Sequence, residues 1–165
     1  MQLLLEELSQ VLAEEYRHYE RLFTLSQEEQ RLLVASDAGS LDRALVEMRA
    51  VASRVEELAE RRAGILCKIS EQTGIPAEQL TMERLSQMSL GVAAVRLDRL
   101  RTEFRDMMGR LHTLNGQNLL LIRNSLDMTD RAVRLILGET GQVQFYGEAG
   151  KAESAGGPRI VSRRI

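Results

Sequence analysis

An all-α chain of long helices joined by short breaks is the fold class this sequence predicts, and three observations predict it. Apolar residues recur at steps of three and four over long stretches, the spacing that lines one side of a helix. The composition is rich in Leu, Arg, Glu, Ala and Ser, with only 4% aromatics, two prolines and no Trp. No alternating run of β-branched and aromatic residues is long enough to found a sheet, the nearest being residues 142–146. The expected architecture is an elongated antiparallel bundle of three long helices and one short helix over residues 1–137. A Gly-rich tail occupies residues 138–165.

The first helix is expected over residues 2–35, where Leu5, Leu8, Leu12, Tyr16, Tyr19, Phe23, Ser26, Gln30 and Leu33 form one stripe. SDAGS, residues 36–40, supplies the break, with Gly39 as the permissive position and Ser40 as the residue able to cap the second helix. A second stripe, Leu41, Leu45, Met48, Ala52, Val55, Leu58, Arg62, Leu66 and Ile69, predicts a helix over 41–72 that stops at TGIP, where Gly74 and Pro76 oppose continuation. Thr81 is placed to cap a short helix containing Met82, Leu85 and Met88, and residues 89–91 read as a joint.

The last long helix has the strictest pattern. Leu97, Leu100, Phe104, Met107, Leu111, Leu114, Asn118, Leu121, Ser125, Met128, Ala132 and Leu135 alternate steps of three and four, a heptad seam. Beyond residue 137 six glycines crowd a segment too poor in apolar groups to repay its ordering entropy, so the tail is expected to be mobile.

Charge and motifs exclude several classes of function. A formal net charge of −2 offers no overall attraction for nucleic acid, and the aromatic stacking groups of single-strand binders are missing beside the Arg61–Arg62 and Arg163–Arg164 clusters. Residues 1–35 carry seven acidic and three basic side chains, whereas residues 91–137 carry eight arginines against five acids, a complementarity that fits either two helices lying side by side or two separately solvated faces. MQLLLEEL has acids where a signal peptide needs a basic lead, and no apolar run approaches the ~20 residues of a membrane span. A cytoplasmic protein without membrane insertion is expected, and the lone Cys67 agrees with a reducing compartment, as a small buried hydrophobe.

Glu15 and His18 make an E-x-x-H pair, but a di-metal site needs a second copy and His112 has Gly109 three residues before it, so the pair reads as a surface histidine near acids. Gly147, Gly150, Lys151 and Ala152 fail both the spacing and the Ser/Thr requirement of a phosphate loop. Cys67 has no evident base. Neither catalysis nor a cofactor is expected.

The stretch LNGQNLLLIRNSLDM, residues 114–128, puts an asparagine at a heptad core position, Asn118. A polar group in a seam fixes helix register by pairing with another polar group, or, with Asn124, it orients a guest. Leu119, Ile122, Leu126, Val133 and Ile136 add a second apolar strip beside Leu121, Met128 and Leu135. This is either bundle core or a surface for a partner's amphipathic helix, whose anchors recur at i, i+3, i+4 and i+7.

Three stretches carry a resemblance: VEELAERRAGIL (residues 55–66), Asn115 and Asn118 followed by Leu120, and FYGEAG near the end. In this order they resemble the FlgN-like flagellar export chaperones, and Glu60, Arg61, Leu66, Thr81, Leu85, Asn115, Asn118, Leu121 and Tyr146 fit the family's pattern. Gly116 departs from it and weakens the helix by ~1 kcal/mol relative to Ala. The resemblance implies a chaperone that holds hook-associated proteins by their C-terminal helices, prevents premature assembly and delivers them to the flagellar export apparatus. It implies partner binding through Asn118, Leu119, Leu121, Ile122, Leu126, Met128, Val133, Ile136 and Tyr146. The competing expectation is a structural coiled-coil homodimer with no client, in which Asn118 meets its symmetry mate.

Overall fold

The computed structural model describes residues 1–137 and two dipeptide strands beyond them. Four helices carry the chain: α1 (Gln2–Ala35), α2 (Ala38–Thr73), α3 (Met82–Met88) and α4 (Gly91–Leu137), with a 3₁₀ turn at Ala77–Gln79. The strands β1 (Phe145–Tyr146) and β2 (Ala152–Glu153) pair antiparallel, Phe145 opposite Glu153 and Tyr146 opposite Ala152. The fold is all-α, as the periodicity predicts. The expected mobility of residues 138–165 lies, apart from those strands, outside the described residues. The chain divides into two compact units, Met1–Leu121 and Ile122–Ile165, and α4 contributes to both.

In the first unit α1 and α2 run antiparallel, with Glu7 paired to Arg61 at 3.2 Å, Glu14 to Arg54 at 3.0 Å, and Arg21 to Glu47. Along α1 and α4 the numbers instead rise together. Gln2 bonds the backbone at Met88 and Leu90, Ser9 meets Arg96, Tyr16 meets Phe104, and Ser26 meets Asn118. These two helices are parallel, the outcome of an up-down-up order in which α3 and its flanking turns carry the chain from the end of α2 to the start of α4. The charge complementarity of α1 and α4 produces one direct ion pair, Arg96–Glu6 at 3.4 Å, while the other acids of α1 that form pairs meet arginines of α2.

The breaks depart from expectation at the first and agree with it at the others. Ser36, and not Gly39, takes the left-handed conformation (φ 56°), letting the N–H groups of Ser36 and Asp37 close onto the carbonyls of Leu33 and Leu32. Asp37, and not Ser40, caps α2: its carboxylate accepts the Ser40 N–H at 3.1 Å, so Gly39 already lies in the first helical turn. Hydrogen bonding from the Ser40 side chain first, and then from its backbone N–H, holds the Asp37 carboxyl below its ordinary range. Gly74 ends α2 at φ 70°, Thr81 caps α3 by accepting the Arg84 N–H at 3.3 Å, and Gly91 opens α4 at φ 61°.

The main core gathers Leu5, Leu8, Leu58, Ile69, Leu85 and Leu97 from all four helices, with Leu80 from the turn. Beyond it Tyr16 and Tyr19 both stand edge-on to Phe104, at 5.4 and 5.8 Å between centroids, and Arg110 lies 4.1 Å over Phe23. Among the described residues no helix is long and apolar enough to cross a membrane.

Candidate functional site: the exposed face of α4

The heptad seam of α4 has two halves. From Leu97 through Leu100, Met107, Leu111 and Leu114 to Asn118 its side chains are buried, with Phe104 half-buried. Leu121 is half-buried, and from Ser125 onward every seam residue, Met128, Ala132 and Leu135 included, is exposed. One unbroken sequence pattern thus serves two environments, because a repeat specifies which face is apolar and not what covers it.

Asn118 marks the change. It is 2% exposed, and its Nδ2 donates to the Ser26 carbonyl at 2.9 Å and to the Glu29 carboxylate at 2.7 Å. Both partners are acceptors, which fixes the orientation of the amide. Its Oδ1 is buried with no protein partner. Ser26 also donates to Asn115 Oδ1 at 3.2 Å, and Gln30 donates to Gln117 at 3.1 Å. The paired-register reading of Asn118 is therefore realised within the chain, against α1. Both of its N–H groups are committed to α1 within the chain.

The adjoining strip is open. Leu119, Leu126, Met128, Val133 and Ile136 are exposed, Met128 by 72% and Ile136 by 79%, while Leu121 and Ile122 are half-buried. Leu120, Leu135 and Leu137 are exposed as well, so the apolar surface is wider than the residues singled out from sequence. Asn124 is exposed on the same stretch, and Tyr146 lies in β1. Monomers commonly scatter single aliphatic side chains over their surface, whereas here they are concentrated along one helix.

Elsewhere the polar candidates have structural partners. Glu15 is buried, not at the surface, with Arg62 Nε 3.1 Å from its Oε2. Burial pushes its carboxyl above the ordinary range, and the arginine opposes that shift without cancelling it. Tyr19 is raised by its own burial and then by the Glu15 charge. Sequence reasoning missed Glu15 because it lies off the single stripe assigned to α1, on a second buried face turned to α2. Among the described residues no group of three or more His, Cys, Asp or Glu side chains is placed to hold a metal ion. Cys67 is exposed, correcting the expectation of burial: Ile65 and Ile69 hold the inward face of α2, and the residue midway between them points outward.

A family model described as FlgN protein matches residues 1–154. No curated protein matches the chain, and no solved structure does. The matched span includes all four helices and the exposed strip, and on that span the chain belongs to the FlgN family of flagellar export chaperones.

Proposed function

We propose that this chaperone works in the cytoplasm by laying the amphipathic C-terminal helix of a hook-associated protein along the strip formed by Leu119, Leu121, Ile122, Leu126, Met128, Val133 and Ile136. The strand containing Tyr146 contributes to the same engagement. Covering the client's helix prevents its assembly before export, and release at the flagellar export apparatus completes delivery. No bond is made or broken, so the reading requires neither a cofactor nor a catalytic group.

The observation that supports this is the exposure of the aliphatic side chains on α4 after Asn118. Each such side chain contributes ~1.5–3 kcal/mol when fully buried, and a handful of them exceeds the several kcal/mol of freedom lost on association. Asn118 supports it from within the fold, as the last residue of the seam that is buried. The competing reading, a clientless homodimer through the same strip, uses the same aliphatic groups.

Titrating a labelled terminal-helix peptide of a hook-associated protein into the full chain, with sedimentation of both, separates the two. A one-to-one complex that Leu126→Asp or Ile136→Asp abolishes is expected. A tight dimer that takes up no peptide would replace this reading with the homodimer.

A further inference from the structure

The seven methionines of the chain all lie among the described residues, in unlike surroundings. Met107 is only 4% exposed, inside the buried seam of α4, and Met48, Met82 and Met88 are half-buried. Met1 and Met108 are exposed by 39% and 38%, and Met128 stands apart at 72%. One helical turn to either side of Met128 lie Asn124, Ser125, Arg131 and Ala132, all of them exposed. Three of these are too short to fold over a long unbranched side chain, so the Met128 thioether stands open to solvent.

A peroxide attacks such a sulfur directly. The sulfur lone pair takes one peroxide oxygen, the S–O bond forms as the O–O bond breaks, and the remainder leaves as water. Sulfur is oxidised, the peroxide is reduced, and the side chain gains one oxygen without losing a proton. The reaction follows access to the sulfur, which ranks Met128 first and Met107 last. Its product is a polar sulfoxide, a strong hydrogen-bond acceptor. Met128 lies one heptad from Leu121 and one from Leu135 on the same strip, so a guest that covers both leucines covers the residue between them. Beneath an aliphatic guest the sulfoxide oxygen is left without a donor, a cost that the thioether does not carry.

Resting on the reading of α4 as the client-binding face, we propose that Met128 is an oxidation site, through which a peroxide weakens the hold of this chain on its client. Oxidation there makes the middle of the strip polar and leaves the main core untouched, because Met128 contributes nothing to that core. Client and oxidant contend for one side chain, so a bound client shields the sulfur. Reduction of the sulfoxide back to the thioether restores the strip.

The full chain is treated with dilute hydrogen peroxide, and the sulfoxides are located over time by mass spectrometry. Met128 is expected to convert first, with helicity by circular dichroism unchanged, and to convert more slowly when the terminal-helix peptide of a hook-associated protein is present. Chain oxidised at Met128 should bind that peptide about ten-fold more weakly or worse. In Met128→Leu the affinity, whatever its untreated value, should not change on the same treatment, and methionine sulfoxide reductase should restore the oxidised parent. Conversion of Met128 no faster than Met108 overturns the site. Rapid conversion with peptide affinity unchanged overturns its effect on the client while the functional reading stands. Failure of the untreated chain to bind the peptide removes the functional reading and the effect on the client together, whereas the order of oxidation is decided by mass spectrometry alone.

Discussion

The side-chain amide of Asn118 donates to the backbone carbonyl of Ser26, 2.9 Å away across the parallel helices α1 and α4, and to the Glu29 carboxylate one turn further along α1. This bond stands where the buried part of the α4 seam ends. The amide adds a second donor to a helical carbonyl of α1 and takes the place where the heptad pattern would otherwise put an aliphatic residue.

Replacing Asn118 therefore costs stability according to what faces its partners. Asn118→Ala is expected to lower the unfolding free energy by about 1–3 kcal/mol, by leaving the Glu29 carboxylate without its donor. Asn118→Asp should cost more, because it sets a second carboxylate against the first. Urea unfolding of both variants checks the order, and an Asn118→Asp protein as stable as the parent would show that Glu29 turns away freely.

Leucines in the two halves of α4 should separate stability from binding. Leu97→Ala removes a fully buried side chain from the main core and is expected to cost about 2–5 kcal/mol. Leu126→Ala alters an exposed position and should stay within about 0.5 kcal/mol of the parent while weakening capture of the client peptide. Thermal unfolding paired with peptide titration reads both. A large loss of stability in Leu126→Ala would mark that residue as core.

The left-handed residues flanking α2 predict opposite responses to opposite changes. Ser36→Gly should stabilise by up to about 1 kcal/mol, since Ser36 holds φ 56° against the steric preference of its Cβ. Gly74→Ala should destabilise by about 1 kcal/mol for the same reason, at φ 70°, although no neighbouring atom would meet the added methyl within 4 Å. Melting temperatures of the two variants should move apart around the parent.

Buried Glu15 supplies a pH dependence. Its carboxyl is raised above the ordinary value of 4.5 by desolvation, so the folded state holds this proton more tightly than the unfolded chain does. The associated stability is fully present below the unfolded value and is lost as pH rises through the folded one. Glu15→Gln is expected to be more stable than the parent at neutral pH, with the difference closing as pH falls toward the ordinary carboxylate range. Denaturant midpoints across that range test it, and a gap that widens on acidification would show the Arg62 pairing to dominate over burial.

Much of the fold is legible in the residues because helices announce themselves locally. The stripes of α1 and α2, the stops at Gly74 and Pro76, the Thr81 cap and the joint before α4 each depend on a few neighbouring side chains. The link between α1 and α2 is harder to read. Ser36, Asp37, Gly39 and Ser40 are all competent for turns or caps, and the two-residue spacing between helices decides which of them acts. Glu15 and Cys67 depart from expectation in opposite directions, one buried and the other exposed. A helix that touches two neighbours has two buried faces, and a single stripe accounts for one.

For the candidate site, the amino-acid order by itself determined that α4 carries a continuous apolar face with an asparagine set into it, since a repeat of three and four needs only the geometry of one helix. Tertiary structure alone decided that the face is buried as far as Asn118, half-buried at Leu121 and Ile122, and exposed from Ser125 onward. Whether an apolar side chain is core or surface depends on which other helices reach it, and that is settled by chain lengths, turns and packing far from the residue in sequence. The Ser26 carbonyl that receives Asn118 lies 92 residues away, and no local pattern in α4 announces it.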